Sequence, residues 1–326
     1  MKKLLLAALL AALAPDARAQ VVIKLGTLAP AGSTWHELLK EMGQRWDQAS
    51  GGQVKLRVYA GGAQGNEGEM MRKMRIGQLQ AVSISNVGMH DTVPEAQTLS
   101  VPMLFKDEAE QTCAFTRVRP QIDAAFQQRG LVTLQWSRIG SLHLFCTQPY
   151  RTPAEMASAK VFAWEGDPGS VEAFRASGFS PRVLSSTDVV PSLQTGMIDC
   201  ISNVPLYMLT TRAFEKAKVM MDLSWGFIMG ATVIRQDAWD QVPAALRPKL
   251  VAIAEELGRK VDAEVKRLNE DAVEAMRKQG LQVVAVDPAP WRAALERSWP
   301  VVREKVVPAA FFDLVRAQRD QCRAGK

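Results

Sequence analysis

The side chains in this 326-residue chain that could carry chemistry are few and scattered. Its three histidines, His36, His90 and His143, fall in separate segments, and a lone histidine is more often a packed side chain than a proton carrier. Four cysteines, Cys113, Cys146, Cys200 and Cys322, include no C-x-x-C pair, so neither zinc binding nor thioredoxin-type exchange has local support. In an oxidising compartment they permit one or two disulfides, with the pairing left open, and isolated buried thiols are the alternative. No G-x-S-x-G elbow, G-x-x-x-x-G-K-[ST] loop or H-E-x-x-H pair occurs, and no G-x-G-x-x-G follows a strand. Acidic residues are plentiful, yet no spacing singles out an acid and base pair. The expectation is a protein that is not an enzyme, with no metal and no cofactor.

Charge excludes another class. The formal net charge is +6. Lys2, Lys3 and Arg18 against Asp16 account for two of these charges, which leaves +4 beyond residue 19. Basic residues alternate with acidic ones rather than gathering in a stripe, so nucleic acid is not an expected partner. Residues 1–19 read as an export signal: two lysines, an apolar run over 4–13, and small residues in Ala17-Arg18-Ala19 for cleavage. That run is shorter than the roughly 20 residues a membrane span needs. The mature chain is therefore expected outside the cytoplasm, in the periplasm.

These groups must be positioned by alternating strands and helices. Strands are expected at 21–25, 54–59, 81–85, 131–136, 142–146, 160–164, 199–202, 231–234 and 281–286. Between them, Thr34 with Glu37 forms a capping-box helix start followed by Trp35, Leu38, Leu39, Met42 and Trp46 at helical spacing. Further helices are expected at 67–76, where Met70, Met71 and Met74 read as core, at 107–128, near 170–176, and up to Gly196 from a cap at Ser186 or Thr187. The β-α-β order implies parallel pairing. Residues 243–280 contain only Pro248 and Gly258 as breakers, so one helix of about 30 residues, roughly 45 Å long, is expected to cross two lobes. Helices near 289–299 and 308–319 close the chain.

Three stretches carry a resemblance: AKVFAWEGDP at 159–168, AFRASGFSP at 173–181 and STDVVPSLQTGMID at 186–199. With APAGST at 29–34, GNE at 65–67, RIGQLQA at 75–81 and VPMLF at 101–105, they resemble the periplasmic substrate-binding proteins of TRAP transporters (the DctP type) across nearly the whole mature chain. The resemblance implies an α/β, two-lobed periplasmic binding protein fold with hinge strands and a long helix spanning both lobes. It places lobe I at 20–140 plus about 224–260, and lobe II at 141–223 plus about 261–326. It also implies capture of a solute in the interlobe cleft and delivery to TRAP membrane subunits.

The chain departs from the family at one informative place. The segment usually written Lys-Ile-Arg-Val reads Lys160-Val161-Phe162-Ala163, so Phe162 stands where relatives carry the arginine that grips the solute's carboxylate. A second expected arginine falls near Leu142, after Gly140. The departure resembles the subset of the family that works with a periplasmic tetratricopeptide-repeat partner, and implies a small hydrophobic ligand. Two alternatives remain: an organic carboxylate held by another arginine such as Arg138, or a periplasmic adaptor outside transport. The ligand-binding residues implied by position are Trp35, Asn86, Phe105, Arg138, Phe162, Trp164, Asn203, Tyr207 and Trp225.

Overall fold

The computed structural model describes residues 20–86, 88–165 and 167–325, with the backbone alone at 168–170; the expected export signal lies outside the described residues. Among the described residues the ten strands are β1 (Val21–Thr27), β2 (Val54–Tyr59), β3 (Ala81–Ser85), β4 (Leu131–Cys146), β5 (Lys160–Trp164), β6 (Ser180–Leu184), β7 (Cys200–Asn203), β8 (Val219–Asp222), β9 (Gly226–Arg235) and β10 (Gln282–Ala285). The main helices are α1 (Thr34–Ala49), α2 (Glu67–Arg75), α3 (Glu108–Gln128), α4 (Pro168–Ala176), α5 (Val189–Thr195), α6 (Pro205–Thr210), α7 (Arg247–Arg277), α8 (Pro288–Glu296) and α9 (Ala309–Arg323).

The strands follow the order β2-β1-β3-β9-β4-β7-β5-β6, with β8 paired to the end of β4 and β10 to β8. Parallel pairing holds where βα units repeat, between β1 and both β2 and β3, and again between β5 and both β6 and β7. It does not hold at the centre. There β9 runs antiparallel to β3 and to β4, because the chain returns to the first lobe only after building the second.

β4 corrects the expectation of two strands at 131–136 and 142–146. It is one strand of 16 residues whose register shifts at Thr133/Gln135 and at Arg138/Gly140. Such bulges bend a strand and increase its twist. The bend lets the first part of β4 pair with β9 and the last residues pair with β7 and β8, a strand the sequence pattern did not indicate. Gly140 sits at the second bulge with φ +140°, and a Cβ there would lie 2.7 Å from Asn269 Nδ2. Only glycine meets both demands.

Caps explain the helix starts. Ser33, not Thr34, caps α1: its side chain accepts from the His36 amide, leaving Thr34 as the first helical residue. Asn66 and Glu69 exchange hydrogen bonds as a capping box at the start of α2. The expected cap at Ser186 or Thr187 is not made by a side chain; a short 3₁₀ turn, Ser186–Asp188, leads into α5, which ends on Gly196 at φ +70°.

Two apolar cores flank the first lobe's strands. Ile23 and Leu25 of β1 meet Leu39, Met42 and Trp46 of α1 and Leu250, Leu257 and Val261 of α7. On the other side Met70, Met71 and Met74 pack with Phe115, Val118 and Ile122 of α3. The second lobe has a core around Val161, Leu144 and Trp291, and another around Phe145, Ile201 and Leu193. α7 contributes to both lobes, since Met276 near its end belongs to this last core. Its 31 residues span about 46 Å at 1.5 Å per residue. Gly258 lets it approach β4 closely; a Cβ there would lie 2.7 Å from the Trp136 carbonyl oxygen.

The chain's end departs from the expected division. Val302, Val306, Phe311, Phe312 and Val315 pack into the first lobe's core, although 261–326 was expected with the second. A disulfide between Cys113 on α3 and Cys322 on α9 fastens this segment, and a second joins Cys146 of β4 to Cys200 of β7.

Candidate ligand-binding cleft

In open α/β sheets, ligands bind beyond the carboxyl ends of parallel strands, where loops and helix N-termini diverge. Here those ends face each other. Glu67 and Gly68 open α2 after β2, and Ser85 ends β3. Opposite them Trp164 ends β5, Ser186 follows β6 and Asn203 ends β7. The lobes touch at this place: Trp164 Cζ2 lies 3.8 Å from the position a Cβ on Gly68 would occupy. Beside it, Gln97 Nε2 donates to the Asp167 carboxylate, and His90 Nε2 is 3.9 Å from the same group.

Sheet register arranges the second lobe's wall. Phe162 pairs with Arg182 and Trp164 with Leu184 across β5 and β6. Val161 pairs with Cys200, so two strand alternations bring Phe162 beside Ile201 and Trp164 beside Asn203. Asn203 pairs in turn with His143 on β4. Phe162 and Tyr207 are half-buried against the core containing Phe145, Ile201 and Met208. Trp164, Asn203 and His143 thus form a row near the strand ends.

Several polar atoms on the second lobe's wall are buried without a partner, Trp164 Nε1, His143 Nδ1 and Ser186 Oγ; Trp35 Nε1 at the start of α1, packed against the α1–α7 core, is another. Buried polar groups are nearly always hydrogen-bonded, and the exceptions call for an explanation such as a ligand. Burial lowers the His143 pKa, favouring the neutral imidazole, and raises that of the Tyr207 phenol. Asn203 Oδ1 accepts from the Val204 amide at 2.8 Å. Glu67 is the other notable group. Its oxygens accept from the Ser85 amide at 2.6 Å and the Ser85 hydroxyl at 2.8 Å. Burial raises its pKa to about 7 against the effect of those bonds.

Other candidates lie elsewhere in the packing. Arg138 pairs with Glu108, lies 3.4 Å from Thr112 Oγ1 and has Asp262 at 3.9 Å, so its cation is engaged within the first lobe and against α7. Asn86 is fully buried; its Nδ2 donates to Ala96 O and Ser100 Oγ, and its Oδ1 accepts from the Met229 amide. Phe105 belongs to the first lobe's core. Trp225 is 2% exposed, with ring centroids of Phe179 and Trp291 at 5.8 and 6.0 Å. Asn86, Phe105 and Trp225 are thus buried within the packing. Trp35, Phe162, Trp164, Asn203 and Tyr207 keep partial exposure.

Sequence reasoning does not single out Glu67, and it reads His143 as a packed histidine and Ser186 as a helix cap. Glu67 lay within a quoted motif, but its lack of a cation is visible only in three dimensions. A separate surface hollow of about 460 Å³ opens at the far end of α2, lined by Met71, Met74, Arg75 and Arg235 among others. Two of its arginines are already paired, Arg129 with Glu95 and Arg235 with Asp237.

Residues 25–305 match the family described as bacterial extracellular solute-binding protein, family 7, and the chain belongs to that family. It is similar to a solute-binding protein of Verminephrobacter eiseniae, at 23% identity over 86% of this chain and 84% of the relative. It is also similar to the C4-dicarboxylate-binding periplasmic protein DctP of Rhodobacter capsulatus, at 23% identity over 76% of each. Among solved structures, a TRAP periplasmic solute-binding protein of Xanthobacter autotrophicus with bound β-D-galacturonate superposes with a TM-score of 0.85 at 18% identity, covering 91% of this chain and 99% of that one. The two-lobed architecture is therefore that of the TRAP solute-binding proteins.

Proposed function

We propose that this chain is the periplasmic receptor of a TRAP-type transporter and that it captures an uncharged, largely apolar molecule between its lobes. The observation that carries the reading is Phe162. By the resemblance it stands at the β5 position of the usual carboxylate clamp, and Leu142 at that of the second cation; Phe162 packs against the core containing Ile201 and Leu142 against the Trp225 core. Arg138, the one rescue considered for an acid, is engaged with Glu108. Closing low-dielectric walls on an unpaired carboxylate costs several kcal/mol. Delivery to TRAP membrane subunits, and a tetratricopeptide-repeat protein as a further partner, belong to the same reading.

A carboxylate ligand is favoured by the relatives, which include a C4-dicarboxylate-binding protein and a structure with bound β-D-galacturonate, and by one feature of this chain. Arg182, the register partner of Phe162, is exposed and has no ion-pair partner among the described residues. An acid would have to be gripped from there, one strand further out.

Thermal shift with matched probes separates the two. A ligand that binds only the folded state stabilises it by RT ln(1 + [L]/Kd). 1-Octanol is expected to raise the melting temperature and D-galacturonate to leave it unchanged. Stabilisation by D-galacturonate that disappears in Arg182→Ala would establish the carboxylate reading instead.

A further inference from the structure

We infer that Asp167 is a latch between the lobes: its carboxylate, carried on the turn after β5, seats against Gln97 and His90 of the first lobe and holds the cleft closed before any ligand arrives. The inference goes beyond the proposed ligand and holds whatever the cleft takes up.

β5 belongs to the second lobe's sheet, where it pairs with β6 and β7. Asp167 follows the end of that strand by three residues and is only 1% exposed. Two groups that face it come from the other lobe. Gln97, itself 5% exposed, donates through Nε2 to one carboxylate oxygen, and His90 Nε2 lies 3.9 Å from the other. His90 follows β3 and has its Nδ1 3.0 Å from the Asp91 carboxylate. Gln97 lies on the 3₁₀ helix Pro94–Ser100, which is fastened to the first lobe. Asn86 Nδ2 donates to the Ala96 carbonyl at 3.1 Å and to Ser100 Oγ at 2.7 Å, and Gln111 of α3 donates to the Leu99 carbonyl at 3.0 Å.

A hydrogen bond to an ionised acceptor is stronger than one between neutral groups. The amide that makes it here is already held in place, so little freedom is lost when the lobes meet. A second tie between the same parts, Lys305 with Glu172 of α4 at 2.7 Å, is exposed at both ends and contributes little. The latch thus sets the fraction of closed molecules, and the apparent affinity of a ligand that binds the closed form scales with that fraction. It acts on every ligand alike, unlike a side chain that touches only one.

The four native cysteines are bridged, so Arg72→Cys on α2 and Thr187→Cys before α5, both at exposed positions, accept nitroxide labels selectively. The doubly labelled chain is freed of ligand by unfolding in urea with its disulfides intact and is then refolded. Pulsed electron paramagnetic resonance reads the distance between the labels. The unmodified latch should give one dominant short separation. Gln97→Leu and Asp167→Ala should each lower the ratio of short to long separations by about fivefold or more. Combining the two should lower it no further than the larger single effect, because both remove one contact. A dominant long separation with the latch intact overturns the inference, as does a ratio unchanged in Gln97→Leu or two effects that multiply in full. Should Asp167→Ala fail to fold, Gln97→Leu, on the opposite lobe, decides alone.

Discussion

Phe162 and Arg182 stand side by side in register on the parallel strands β5 and β6, the first half-buried and the second exposed. The cation available to this wall is therefore displaced by one strand, about 4.8 Å, from the place of the usual clamp. Phe162→Arg moves it back. That variant should lose 1-octanol binding and gain D-galacturonate affinity by at least tenfold, measured by calorimetry. Unchanged affinity for both would mean that the side chain at 162 does not face the ligand.

The pH dependence of stability follows from Glu67. Its folded pKa of about 7 lies above the ordinary value of 4.5, so the folded state holds the proton more tightly than the unfolded one. The resulting stabilisation is complete below pH 4.5 and is lost as the pH rises through 7. The shift corresponds to at most about 3 kcal/mol. Glu67→Gln should flatten the change in unfolding free energy between pH 5 and 8 in urea titrations. A variant whose pH profile matches the unmodified protein would show that Glu67 titrates normally.

Much of this arrangement is legible in the residues, and the failures have physical causes. The alternation of strands and helices, the long α7 and the methionine core on α2 follow from periodicity alone, because each is a local pattern with a single buried face. β4 was read as two strands because Gly140 and the polar residues around it interrupt the alternation. The chain instead absorbs that interruption as a bulge at the hinge. Trp225, Phe105 and Asn86 are candidates by position, and their burial and satisfied amide network are tertiary outcomes that no spacing announces. Glu67 and Ser186 escape notice for the converse reason: an acid at a helix start or a serine in a turn looks solvated until the fold shows that the one has no cation beside it and the other no hydrogen-bond partner.

At the hinge, Asn269 of α7 donates to the Ile139 carbonyl at 3.3 Å and accepts from the Leu206 amide at 3.1 Å, tying the β4 bulge to the start of α6. Asn269→Ala leaves these groups with fewer partners and should cost about 1–3 kcal/mol of stability. Gly258→Ala should cost a similar amount by pushing α7 from the Trp136 carbonyl. Chemical denaturation checks both, and losses under about 0.5 kcal/mol would mean that the contacts are not tight.

The Cys113–Cys322 disulfide closes a separation of 209 residues and secures the last helix to α3. Replacing both cysteines by serine should lower stability by about 2–4 kcal/mol, with ligand affinity unchanged, because the bridge lies away from the strand ends that line the cleft. Full stability in the double variant would show that packing of Phe311, Phe312 and Val315 suffices to hold the terminus.

Mass spectrometry of small molecules extracted from protein purified without denaturation tests the uncharged cleft most directly. The expected result is a neutral, mainly apolar compound. Recovery of a uronate, a dicarboxylate or another organic acid as the bound species would contradict it.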